Sequence, residues 1–232
     1  MSKKNSSALT DIALVLVSGG LLLTVLLGVI GRRGTFTQNG TQPHLVIDAG
    51  HGGEDGGASA ADGTLEKEIN LAIALPLGDM LHVMGFEVLQ TRTEDTMICS
   101  TGSTLRERKV SDIKNRLSLI EQADVAVSIH QNKFSQTQYH GAQMFYAPGN
   151  NDSKVLGEAV RSAVLSLLQP DNTRELKKGE DTVYLLKHAT KPLVLVECGF
   201  LSNEQECAKL KTRDYQRQMA FAVAGGIFSY FS

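Results

Sequence analysis

The sequence predicts a three-layer α/β fold, with a mostly parallel or mixed central sheet and helices on both faces. Two observations predict it. Short β-branched runs alternate with amphipathic stretches from residue 44 to the end, the pattern of one α/β domain. Three of those runs, closing at Ile47, Ile129 and Val196, lead directly into His51, His130 and Glu197. In open α/β sheets ligands bind outside the carboxyl ends of the strands, so these three side chains, each of a ligand or base type, are expected to share one sheet edge and to build a metal site there.

Composition narrows the function classes. A chain of 232 residues fits one domain with an N-terminal extension, and 42% hydrophobic content supplies an ordinary core. A net charge of −2 gives no global field for nucleic acid, which is excluded as a partner. There is no Trp, which argues against a separate sugar-stacking module. Cys99, Cys198 and Cys207 are an odd count without a CxxC spacing, so neither a fully paired disulfide framework nor a zinc knuckle is expected. Cys198 follows Glu197 in a strand and should face the opposite way, as a small buried hydrophobe.

The N-terminal part reads separately. Residues 12–30 contain no charged side chain and are long enough to cross a bilayer as a helix. An uncleaved signal-anchor is expected, with a cleaved signal peptide as the alternative; both put the remainder outside the cytoplasm. Lys3 and Lys4 balance Arg32 and Arg33, which leaves the positive-inside rule nearly silent. The layout is therefore an anchor at 1–33, a polar linker at 34–43 and a catalytic domain at 44–232.

The elements follow in order. Residues 45–47 form a strand that stops at a glycine-rich turn around His51, where the chain bends tightly and leaves the imidazole at the sheet edge. Thr64 is expected to cap a helix beginning near Leu65, with a stripe through Ile69, Ile73, Leu77 and Leu81. Glu66 lies in its first turn, where a carboxylate is also favoured by the helix dipole alone. Pro76 predicts a kink or restart, and Gly85 ends the helix. Residues 86–90 form a second strand leading to Thr91 and Arg92. Residues 94–108 read as a polar loop, a candidate gate or partner-docking segment. Arg106, Arg108, Lys109, Lys114 and Arg116 read first as a solvated charged face. Residues 111–122 form a helix with Asp112 outward, and residues 124–130 a strand. Residues 141–146 form a strand near a sheet edge. Residues 152–168 form an amphipathic helix with Val155, Leu156, Val160, Val164 and Leu167 as core candidates. Residues 174–181 are a charged loop, and Tyr184, Leu185 and Leu186 a short strand or turn. Residues 204–210 and 215–231 close the chain as helices.

Four motifs carry a family resemblance: Asp48-Ala49-Gly50-His51-Gly52-Gly53, Glu66-Lys67 before Asn70-Leu71, Ser128-Ile129-His130-Gln131-Asn132, and Val196-Glu197-Cys198-Gly199-Phe200-Leu201-Ser202-Asn203. In this order and spacing the chain resembles the zinc N-acetylmuramoyl-L-alanine amidases over residues 44–232. The single-domain form and the run from His130 to Phe134 are most similar to the germination-specific, spore-cortex amidases. The resemblance implies a catalytic zinc on His51, Glu66 and His130, with Glu197 as the proton-transfer residue and Asp48 and Asn132 as supporting candidates. The set contains two histidines and a glutamate with one open position, a catalytic zinc arrangement not drawn from an HExxH helix. The implied reaction is hydrolysis of the amide between N-acetylmuramic acid and L-alanine in peptidoglycan, which frees the stem peptide from the glycan strand on the way to muramic lactam. The resemblance implies peptidoglycan as a partner and an extracytoplasmic location, in the spore envelope; the apolar run 12–30 adds the membrane, and the polar segment 94–108 an activating envelope protein. Two rival readings remain: a zinc carboxypeptidase that uses Arg92, Arg174 or Lys187 to hold a terminal carboxylate, and a non-catalytic wall- or partner-binding protein on the same fold.

Overall fold

The computed structural model describes residues 42–232; the apolar run 12–30 and most of the linker lie outside them. Among the described residues no helix is long and apolar enough to cross a membrane. The strands are β1 (His44–Ala49), β2 (Glu87–Gln90), β3 (Val125–Asn132), β4 (Gln143–Tyr146), β5 (Lys177–Lys178) and β6 (Leu193–Phe200). They form one sheet in the order β2-β1-β3-β6-β4-β5. β1 runs parallel to β2 and β3, and β3 parallel to β6; β4 is antiparallel to β6 and carries the short β5 at the edge.

The helices are α1 (Glu66–Val83), α2 (Leu105–Ile120), α3 (Asp152–Leu167), α4 (Tyr184–His188), α5 (Glu204–Leu210) and α6 (Arg213–Tyr230). α1 packs on β1, β2 and β3, α3 on β4 and β6, and α6 against both helices. On the other face Ile120 of α2 and Leu185 and Leu186 of α4 close over Val46, Ala126, Leu193 and Leu195. Burial on both faces explains why β1, β3 and β6 read as unbroken apolar runs.

Register sets the site. His130 of β3 pairs with Glu197 of β6, which pairs in turn with Gln143 of β4, so the three side chains form a row across one face. Just beyond, the register shifts: Asn132, two residues after His130, pairs with Phe200, three after Glu197. The extra residue in β6 is a bulge, and it keeps Phe200 on the face of His130 and Glu197.

Several expectations are corrected. β3 and β6 continue to Asn132 and Phe200, so His130 and Glu197 lie inside their strands rather than past the ends. α2 begins at Leu105, because Thr104 and Glu107 form a reciprocal capping box. Arg106, Arg108 and Lys109 are therefore helical. Asp112 is buried, not outward: it pairs with Arg116 one turn on, and Arg116 is only 1% exposed. Thr64 does not cap α1; Leu65 occupies the N-cap, while Thr64 donates its backbone N–H to Asp62 and accepts from Ala60. α1 runs unbroken through Pro76, held by the burial of Ile73, Ala74, Leu77 and Leu81 around it. Val155 and Leu167 are exposed because the inward stripe of α3 runs through Leu156, Val160 and Val164. Residues 184–188 are helical, with Leu185 and Leu186 turned into the core, and the loop at 174–181 contains β5.

Candidate metal centre

β1 ends at Ala49, and the backbone turns back at Gly50, whose N–H donates to Ile129 O of β3 at 3.1 Å. A Cβ on Gly50 would stand 2.2 Å from His130 Nε2, so only glycine lets this imidazole lie against the turn. His51 follows with φ +62°, the left-handed region. Among the described residues it is the one non-glycine there, a conformation that costs on the order of 1–3 kcal/mol. Its carbonyl accepts from Arg116 Nη2 at 2.7 Å, and Gly52 and Asp55 close the turn by exchanging backbone hydrogen bonds.

Three side chains meet above this turn. His51, Glu66 and His130 each offer one ligand atom, all within 4.8 Å of one another. Glu66 stands between the imidazoles, with Oε2 3.3 Å from His51 Nε2 and Oε1 2.9 Å from His130 Nδ1. The rings meet edge to face with centroids 5.0 Å apart. Glu66 is fixed by backbone donors: Ala58 N at 2.8 Å on Oε2 and Gln131 N at 3.1 Å on Oε1. Asn70, one turn along α1, donates to Glu66 Oε1 at 3.2 Å and to Gly50 O at 3.1 Å.

The electrostatics are those of a cation site. Burial disfavours the charged form of His51, but the carboxylates of Asp55 and Glu66 outweigh it and push the imidazole up to about 9. Burial of Glu66 is likewise outweighed by the two histidines, which hold its carboxyl far below the usual range. A carboxylate facing two imidazole nitrogens, with the far nitrogen of His51 taken by Asp55 at 2.8 Å, is a donor set that suits a borderline divalent ion such as zinc. The residues present therefore fit a metal.

Glu197 faces the cluster from β6 without joining it. Its Oε2 is shielded from solvent and has no hydrogen-bond partner among the described residues. Burial pushes its carboxyl up to about 7, in the range of a general base or acid working near neutral pH.

The remaining expected residues have structural duties. Asp48 is fully buried and accepts from Thr91 at 2.8 Å, Ser128 at 2.5 Å and Arg116 at 2.6 Å; it ties β1 to β3 and α2. Asn132 ends β3, and its carbonyl accepts from Leu201 N at 2.8 Å. Arg92 donates to the carbonyls of Ala49, Gly50 and Lys67 and orders the strand end; those bonds take up the guanidinium that a carboxypeptidase would need. Lys187 lies 4.0 Å from Asp181 in the exposed α4 region. Residues 94–104 pack onto the turn: Asp95 accepts from Gly53 N and Lys67 Nζ, and Asp112 of α2 accepts from Ile98 N. Asp55, Asn70 and Arg116 were not expected. The first two had a signal, each standing four residues after a proposed ligand; Arg116 had none beyond its i,i+4 spacing from Asp112.

Comparison with known proteins gives the family. Residues 45–229 match the model of the N-acetylmuramoyl-L-alanine amidase family. The chain belongs to that family. It is 34% identical over 191 residues to the germination-specific N-acetylmuramoyl-L-alanine amidase of Bacillus subtilis, covering 81% of this chain and 79% of that one. The CwlD amidase from Clostridioides difficile, solved in complex with the GerS lipoprotein, superposes with a TM-score of 0.78 at 41% identity, covering 82% of this chain and 98% of that one. AmiC2 of Nostoc punctiforme superposes with a TM-score of 0.68 at 30% identity, over 82% and 97% of the two chains. Family membership makes the chain an amide hydrolase of peptidoglycan, acting outside the cytoplasm, and agrees with the fold and reaction expected from the sequence.

Proposed function

We propose that this amidase works as a zinc enzyme, with the ion held by His51, Glu66 and His130. Bound there, zinc would polarise the muramoyl carbonyl and lower the pKa of a water molecule. The chain's own residues do the rest. Glu197, whose buried Oε2 has no hydrogen-bond partner among the described residues, takes a proton from the attacking water and returns it to the departing L-alanine amine. Asp55 holds the His51 ring so that Nε2 faces the cluster. The observation that carries this reading is the convergence of two imidazoles and a carboxylate within 4.8 Å beside a glutamate whose buried Oε2 has no partner among the described residues.

The same reading assigns the chain to spore-cortex maturation, in which stem peptides are removed on the way to muramic lactam. The germination-specific relative supports it. The GerS lipoprotein accompanies the Clostridioides difficile amidase, which supports an activating envelope partner here. Residues 1–33 serve as anchor or signal, 34–43 as linker and 44–232 as the catalytic domain. The test is digestion of purified peptidoglycan with and without a chelator, with products identified by mass spectrometry. Free stem peptides beginning with L-alanine, abolished by the chelator and restored by zinc, are expected. Shortened stems still attached to muramic acid would make the protein a peptidase instead.

A further inference from the structure

The row of side chains that contains the site does not stop at Glu197. Gln143 pairs with it across β4, and a cavity of about 440 Å³ opens on the far side of Gln143, with Arg174 and Lys177 among its walls beside Asp171 and Glu175. Arg174 is held in place by Nε, which donates to His140 O at 2.8 Å, and by Nη1, which donates to Gln143 Oε1 at 3.5 Å. Its guanidinium carbon lies 4.5 Å from the Phe200 ring centre and 5.7 Å from that of Tyr139. The β6 bulge is what brings Phe200 to this face. Phe134 completes the aromatic cluster, 5.1 Å from Phe200 and 5.5 Å from Tyr139, and Phe134 and Tyr139 are partly exposed.

Nothing inside the domain explains this construction as an ion pair. Among the described residues no carboxylate oxygen lies within salt-bridge distance of Arg174. The nearby Glu206 is occupied by the backbone N–H groups of Gly141 and Phe200, at 2.8 and 2.7 Å. A planar guanidinium stacked on aromatic rings, with one edge anchored, is preorganised to receive a carboxylate on its remaining donors.

We infer that the Arg174 cavity is the subsite for a free carboxylate of the stem peptide, and that Arg174 is a substrate-binding residue. The inference rests on the amidase reading above. From β6 across β4 to the β5 track is two strand spacings, roughly 10 Å. An extended peptide spans that in about three residues, so the scissile amide at Glu197 and an acidic group on the second or third residue reach both places together. An uncharged peptide offers no anion to the free Nη2 edge of the guanidinium, so the subsite favours the acidic stem.

The experiment compares wild type, Arg174→Gln and Arg174→Lys, all zinc-loaded, on a soluble muropeptide and on versions in which each free peptide carboxylate is amidated in turn. Binding of the released stem peptide is measured in parallel. We expect Arg174→Gln to raise KM and weaken peptide binding about tenfold or more with kcat nearly unchanged, as loss of a charge-assisted pair implies. Arg174→Lys recovers part of that loss. Amidation of one carboxylate should weaken the wild type equally and abolish its difference from Arg174→Gln. The inference is overturned if the variants keep wild-type KM, if kcat and KM for every amidated substrate change alike, or if zinc content falls. Failure of the amidase reading looks different: wild type then releases no peptide beginning with L-alanine from any substrate, and the subsite assignment falls with it.

Discussion

His51 Nδ1 lies 2.8 Å from Asp55 Oδ2. Asp55 is itself tied on its other oxygen to Lys109 of α2 at 2.8 Å and to Gly57 N at 3.3 Å. Burial opposes its ionisation, but His51 and Lys109 hold its carboxyl well below the usual range. A fixed anion behind a ligating imidazole sets its tautomer and direction, and removing such a partner costs about 10–100-fold in metal affinity. Asp55→Ala should therefore lose zinc to a competing chelator at a correspondingly lower concentration while its fold persists. An unchanged chelator titration would show that Asp55 does not orient His51.

Glu66→Ala removes one of the three proposed ligands and the only anion among them. Zinc retention should fall sharply, since ligand count and charge both drop. Elemental analysis of the purified variant is the check; a wild-type zinc content would take Glu66 out of the site.

Glu197→Ala separates binding from proton transfer. Glu197 is not within the ligand cluster, so zinc content should match wild type while turnover falls about 10²–10⁴-fold. A metal-free variant would make Glu197 a ligand and reverse the assignment.

Much of this site was legible because its residues sit at places where sequence pattern is unambiguous. His51 follows a strand into glycines, His130 and Glu197 close apolar runs, and the parallel sheet brings those points to one edge. What escaped was set by partners distant in sequence. Asp112 and Arg116 look solvated along the helix alone, yet Arg116 is drawn inward by Asp48, 68 residues earlier. Val155 carries a core side chain at an exposed position, because helical periodicity gives the stripe but not its width. Residues 184–188 are too short for period 2 and period 3.6 to be told apart, and burial of Leu185 and Leu186 under α2 decided for helix. The placement of Phe200 beside Arg174 depends on one extra residue in β6, which no alternation pattern announces.

Arg116 gives the last prediction, a structural one. Its guanidinium bonds Asp48 Oδ1 and Asp112 Oδ2 at 2.6 Å each, and donates to the carbonyls of Ala49 and His51 at 2.7 Å each. All three charged side chains are buried. Replacing Arg116 by Met keeps length but leaves two carboxylates in the interior without their cation, a change that costs about 3–5 kcal/mol when a buried pair is broken. It also frees the strained His51 turn, so zinc retention should drop along with stability. The pH dependence has a definite sign. Burial raises the Asp48 carboxyl, but Arg116 and its hydroxyl donors outweigh it, so the folded pKa lies below its ordinary value. The pair's contribution is therefore complete above the unfolded pKa of about 3.9 and disappears as pH falls through the folded pKa. Urea unfolding of wild type and Arg116→Met should show the widest gap in stability near pH 7 and a narrowing gap as the pH drops through the carboxylate range. A gap that stayed constant down to pH 3 would mean that Arg116 acts through packing alone.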